Sequence, residues 1–251
     1  MKKLARAAAA VGLSLALTGC VKDSELTMAS AMMVGAGVLQ AATLDEKQVV
    51  KTASLSAKEL DKKNKVAAPG SQYDARLQRL VRGLENADGL NLNFKVYLDK
   101  SVNAFAMPDG TVRVHSGLLD AMPDDQVLAV IGHEIGHVKL KHSYNQMRSQ
   151  LLTNTAFQAA ASAGGDIGAL TSSQLGGLAY KAINARFSQQ DELEADRYAV
   201  KFLRSRNKDP EAMTRSIETL QAKYGSGGGF LSSHPSNSQR IDNLEKTIAG
   251  Q

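Results

Sequence analysis

The residues best equipped for chemistry lie in Val130-Ile131-Gly132-His133-Glu134-Ile135-Gly136-His137-Val138, an apolar run that reads as helix and carries H-E-x-x-H. Four residues of α-helix turn the chain by about 400°, so His133 and His137 stand nearly above one another on one face. Two imidazoles so placed can hold one zinc ion. Glu134, next to the first of them, can reach a water on that ion without itself binding the metal. The small Gly132 and Gly136 would let another element approach the same helix closely.

Two histidines do not complete such a site. A longer zinc pattern would place a glycine three residues after the second histidine and a third histidine three further on; Leu140 and Ser143 stand there instead. The helix reads as running from Pro123-Asp124-Asp125 to about His142. His142, five residues past His137, lies about 140° around that helix and so cannot join the same metal face. A later segment, Arg186-Phe187-Ser188-Gln189-Gln190-Asp191-Glu192-Leu193-Glu194-Ala195-Asp196, offers Glu192 and Asp196 as an i, i+4 pair on one helical face. Glu192 fits as third ligand, leaving one coordination position for water. Asp196, one turn on, can accept the free ring N–H of a ligand histidine and fix its tautomer. The bland alternative, a solvated acidic helix face, loses ground to H-E-x-x-H. Glu194 points elsewhere and reads as surface.

Positioning these groups falls to a chain long enough for one sizeable core. Amphipathic helical patterns cover 45–65 and 73–87, separated by Ala67-Ala68-Pro69-Gly70-Ser71 and closed by Asp88-Gly89. The period then changes to alternation over 92–98, 103–107 and 111–115, with Pro108-Asp109-Gly110 as a hairpin turn. His115 reads as a strand or surface histidine. The Ala-, Gly- and Ser-rich stretch 152–182 reads as a mobile helical flap over the cleft, and further helices are predicted over 211–223 and 236–248. The fold class is therefore α+β, mostly helical, with a small β-sheet beside the H-E-x-x-H helix. An exposed edge of that sheet is where an extended peptide can add itself through backbone hydrogen bonds.

The N-terminus reads as a secretory leader, 1–19: Lys2, Lys3 and Arg6 precede an apolar run too short to span a membrane. It ends in Leu17-Thr18-Gly19-Cys20, which resembles a bacterial lipobox. Cleavage before Cys20 would leave a lipidated cysteine heading a tether over 20–44, with the catalytic domain over 45–251. Val21 rather than Asp follows Cys20, which by resemblance to lipoprotein sorting in two-membrane bacteria favours the outer membrane. Cys20 is the only cysteine, so the mature chain has no internal disulfide. Loss of the leader takes three positive charges from the formal +5, leaving about +2. With no basic tract and no Trp, nucleic acid is not an expected partner.

H-E-x-x-H followed on a later helix by E-x-x-A-D resembles the HtpX and CAAX-prenyl-protease family of gluzincin zinc metallopeptidases. Together with the lipobox it is most similar to the LoiP-type lipoprotein metalloproteases of the outer membrane. The likeness covers roughly 73–248. It implies one zinc per chain on His133, His137 and Glu192, with Glu134 as general base and Asp196 behind the ligands. It also implies a substrate edge at Asn103-Ala104-Phe105-Ala106. The family carries a comparable His-Pro segment, here Ser233-His234-Pro235, after the glycine hinge Gly225-Ser226-Gly227-Gly228-Gly229. His234 can donate to a tetrahedral oxyanion, or swing onto the open metal position and block it; Arg240 can orient this segment or the substrate. Gln189 departs from the family, where many relatives carry Arg.

The implied task is proteolysis of misfolded or unassembled envelope proteins, facing the periplasm. One alternative is a lipoprotein chaperone or assembly factor with a latent metal site. Another is a metal hydrolase acting on a non-protein envelope polymer. Oligomeric state is not encoded in any motif.

Overall fold

A computed structural model describes residues 44–154, 157, 170–225, 227–236 and 238–250. The leader, Cys20 and the 20–44 tether up to its last residue lie outside them. Asp45 caps α1 (Glu46–Lys63): its carboxylate accepts the Gln48 backbone N–H at 2.8 Å, and the Gln48 side chain accepts that of Asp45 at 3.1 Å. The pair satisfies amides that a first helical turn leaves unbonded. Val49, Ala53, Ala57 and Leu60 form the buried stripe. The next helix, α2 (Gln72–Val81), stops well short of residue 87. Gly83 and Asp88 take positive φ, which a right-handed helix cannot accommodate.

Three strands, β1 (Asn93–Tyr97), β2 (Ala104–Ala106) and β3 (Thr111–His115), form a sheet of order β1-β3-β2. β1 runs parallel to β3 with Asn93 opposite Thr111; β2 runs antiparallel to it with Ala104 opposite Val114. The 108–110 turn is the predicted hairpin, and the Asp109 carboxylate accepts the Thr111 backbone and hydroxyl donors at 3.2 and 2.9 Å. Alternation sends Phe94, Val96, Ala104, Ala106, Val112 and Val114 into one core. That core also holds α3 (Ser116–Ala121), α4 (Asp124–Lys139), α7 (Gln189–Ser205), α8 (Glu211–Tyr224) and α9 (Ser238–Ala249). Tyr97, Phe105 and Met107 point the other way, into a second core with α1, α5 (His142–Thr153) and α6 (Ser172–Asn184). The described part of the stretch expected as a flap is thus mainly α6, a helix packed through Leu175, Leu178, Ala179 and Ala182, with Leu152 and Thr153 ending α5. Residues 155–156 and 158–169 of that stretch lie outside the described residues.

The metal helix ends earlier than its pattern suggests. Leu140 is its C-cap and Lys141 takes a left-handed conformation (φ 63°), so His142 opens α5 instead of closing α4. Against α4 lies α7, in very close contact. A Cβ added at Gly132 would sit 2.6 Å from Phe202 Cδ1, and one at Gly136 would sit 3.0 Å from Tyr198 Cδ1. Side chains at these positions would force the helices apart and carry Glu192 and Asp196 away from the histidines. No helix among the described residues is long and apolar enough to cross a membrane.

Asp61 fastens α1 to the sheet. Arg113 donates to it from Nε at 2.8 Å and Nη2 at 3.0 Å, Lys95 Nζ at 2.6 Å and Tyr97 OH at 2.7 Å. Burial alone would raise the Asp61 pKa, but these donors hold it down to about 2. Because the folded value lies below the unfolded one, the stabilisation is complete above about pH 4 and fades as pH falls towards 2. Discounted for solvent screening, it amounts to about 1–2 kcal/mol. Urea titrations of wild type and Asp61→Asn should therefore differ at pH 7 and converge near pH 2.

Candidate metal centre

His133 and His137 project from α4 and are both fully buried, with Nε2 atoms 3.0 Å apart. Glu192, from the first turn of α7, brings Oε1 to 3.3 Å from His137 Nε2 and Oε2 to 3.6 Å from His133 Nε2. That turn is fixed by Ser188, whose hydroxyl accepts the Asp191 N–H while the Asp191 carboxylate accepts the Ser188 N–H. His234 Nδ1 lies 3.3 Å from His133 Nε2 and 3.1 Å from Glu192 Oε1. The four donor atoms lie within 4.8 Å of one another. A tetrahedral zinc site with bonds of about 2.0–2.1 Å has donor–donor edges of about 3.3–3.4 Å. Three nitrogens and one carboxylate oxygen separated by 3.0–3.3 Å along these edges fit that ion in size and chemistry.

The surrounding contacts orient the donors. Asp196 Oδ1 sits 2.9 Å from His133 Nδ1, leaving Nε2 to face the centre. Arg240, wholly buried, grips Asp196 with Nε at 2.7 Å and Nη2 at 2.6 Å, and reaches Glu192 Oε2 with Nη1 at 2.6 Å. It also donates to the His234 carbonyl at 3.1 Å. The structure thus turns its guanidinium onto the protein's own carboxylates. Burial would raise the Glu192 carboxyl, yet the charges of His234 and Arg240 hold it well below its ordinary range. Burial likewise lowers His133, and it lowers His137 further.

Glu134 faces the other way, towards β2. Burial drives its carboxyl up to about 7; the charge of His234 opposes that rise and Glu192 adds to it. Its Oε1 accepts no hydrogen bond and lies 3.4 Å from His234 Nε2. A cavity of about 20 Å³, room for one water-sized occupant, is lined by Glu134, Phe105, Ala106, Met147, Phe187 and His234. Met107 and Asn103 bond to Thr111 and His115 across the hairpin, so alternation turns the backbone groups of Ala104 and Ala106 away from β3. No described strand pairs along that edge.

Three contacts were not legible as site features. Phe187 stacks on His137 with centroids 3.8 Å apart, and Phe230 stacks on His234 at 4.2 Å. His142 Nδ1 approaches His137 Nδ1 to 3.1 Å. Phe187 did stand within the acidic motif, one residue before the capping Ser188, but an aromatic there carries no signal of stacking. His115 is apart from the centre, its Nδ1 2.7 Å from Ser101 Oγ.

Residues 71–248 match the model of peptidase family M48. The chain is 40% identical over 243 residues to metalloprotease LoiP of Escherichia coli K12, covering 96% of this chain and 95% of the relative. It is 36% identical over 235 residues to metalloprotease YcaL of the same strain, covering 93% and 92%. The beta-barrel assembly-enhancing protease of that strain is 34% identical over 176 residues, 64% of this chain and 36% of that protein.

Proposed function

The chain belongs to peptidase family M48 and is a zinc metalloprotease; from that premise we propose that it is an endopeptidase of the bacterial cell envelope, cutting misfolded or unassembled periplasmic and outer-membrane proteins. The observation that carries the reading is the place of Glu134. Its unbonded carboxylate oxygen lies 3.4 Å from His234 Nε2, and the side chain lines one cavity with His234 and with Phe105 and Ala106 of β2.

His133, His137 and Glu192 would hold one zinc ion per chain, which when bound lowers the pKa of water and polarises a carbonyl. The outward C=O groups of Ala104 and Ala106 would hold an extended peptide as an added strand, with Asn103, whose Oδ1 accepts the Ala104 N–H at 3.0 Å, and Phe105 flanking it. Glu134 takes a proton on Oε1 and returns it to the leaving amine. Asp196 and Arg240 keep the ligand atoms in place. The lipobox supports anchoring of Cys20 in the outer membrane, facing the periplasm. An envelope setting is supported too by the relative named for enhancing β-barrel assembly.

The test is turnover of an unfolded outer-membrane protein by zinc-loaded chain lacking residues 1–20. Activity lost with a chelator and restored by zinc supports the reading; no cleavage by the zinc-loaded chain overturns it.

One observation favours a latent form. His234 Nδ1 fills the fourth corner of the donor set, held there by the Phe230 stack and by Arg240. Such a chain would bind clients and cut them only after the 227–236 segment swings away. If the closed arrangement outweighs the open one about tenfold, His234→Ala should raise the cleavage rate about tenfold. If His234 serves instead as an oxyanion donor, the same change should lower kcat by about 10²–10³-fold. Initial rates of the two proteins decide between them.

A further inference from the structure

We propose that His142 is a positioning residue for the ligand His137, through a hydrogen-bonded chain that ends on the carboxylate of Glu194. This rests on the reading of His137 as a zinc ligand.

His137 directs Nε2 at the other donors, so its proton must sit on Nδ1, and a buried N–H requires an acceptor. His133 has Asp196 for this purpose. The only ring nitrogen within reach of His137 Nδ1 among the described residues is His142 Nδ1, at 3.1 Å. To accept there, the His142 ring must carry its proton on Nε2. Nε2 lies 3.2 Å from Glu194 Oε2 and 3.5 Å from Asp191 Oδ1, two acceptors suited to that proton. The tautomers are therefore consistent along the whole chain: His137 Nδ1–H to His142 Nδ1, then His142 Nε2–H to Glu194.

Packing holds the relay in place. The His142 side chain is 4% exposed, and Lys141 in its left-handed turn aims it back towards α4. Glu194, 36% exposed, is steadied by Gln190 Nε2, which donates to Oε1 at 2.6 Å. Phe187 covers the face of the His137 ring and offers it no acceptor. The two ligand histidines are thus oriented differently: His133 by a buried carboxylate in direct contact, His137 by a relay that runs out to the rim of α7.

The test measures zinc affinity of the full mature chain by competition with a chromophoric chelator, with His137→Ala as reference. Loss of a partner behind a ligand histidine weakens metal binding by about 10–100-fold. His142→Leu, which keeps bulk and removes the acceptor, should fall in that range. His142→Asn retains an acceptor near the Nδ1 position and should recover most of the loss. Glu194→Gln, on the surface and harmless to folding, should weaken zinc severalfold in the wild-type background and not at all beside His142→Leu. Thermal melts of the zinc-free variants separate this from a loss of fold. Wild-type affinity in His142→Leu, or the same effect of Glu194→Gln in both backgrounds, would overturn the proposal. If His137→Ala itself leaves zinc binding intact, the ligand assignment falls and the relay with it. If His137→Ala weakens binding and His142→Leu does not, the relay alone falls.

Discussion

Glu134→Gln is expected to lower kcat for an unfolded protein by about 10²–10⁴-fold while zinc stays bound, the range assigned to a positioned general base. Glutamine preserves the shape and packing of a side chain that is 1% exposed, but its amide cannot take up a proton. Glu134 is not among the converging donors, so the ligand set remains intact. KM should change little, because glutamine keeps the place of Glu134 in the cavity wall and leaves the strand edge of β2 unaltered. The measurement pairs steady-state cleavage with the zinc content of each protein. Full activity in the variant would move the base elsewhere; loss of zinc would make Glu134 a ligand and undo the division of roles.

Arg240→Met should cost about 3–5 kcal/mol of stability, since it strips the charge partner from two buried carboxylates at once. For a chain of this size that corresponds to a fall in Tm of about 6–20 °C. Methionine fills much of the volume, so the loss reports chiefly on Asp196 and Glu192 left without their cation. Arg240→Lys should recover only part of it. A single ammonium cannot span both Asp196 oxygens and the Glu192 oxygen as the planar guanidinium does. Thermal melts of the zinc-free proteins check this, and equal melting of wild type and Arg240→Met would show that the carboxylates find other relief.

What the sequence made legible was local. The i, i+4 spacing of His133 and His137, and again of Glu192 and Asp196, survives folding because each pair depends on one helix alone. The hairpin around Asp109 and the α+β class came through for the same reason. The end of the metal helix did not. Its break relies on Lys141 in a left-handed conformation, which glycine would have advertised and lysine conceals. With the break unseen, His142 was placed on the wrong helix and Glu194 read as surface alone. Arg240 shows the limit from the other side. Its sequence position after the His-Pro segment points to orienting that segment or the substrate, and only the juncture of α7 and α9 buries it fully and turns it onto Asp196 and Glu192. The division into two cores, on opposite faces of one small sheet, likewise has no signature in any single segment.

Arg240 sits on the final helix, and His133 and His234 are 101 positions apart. A nascent or translocating chain exposes its histidine pair long before the cation that neutralises Asp196 and Glu192 has emerged. Until α9 docks, those carboxylates cannot be buried together, so the donors cannot converge. Convergence of the donors therefore waits on the docking of α9, which closes a long loop. Removal of the chain from Arg240 onward would take away the cation held against Asp196 and Glu192 even with every H-E-x-x-H residue in place.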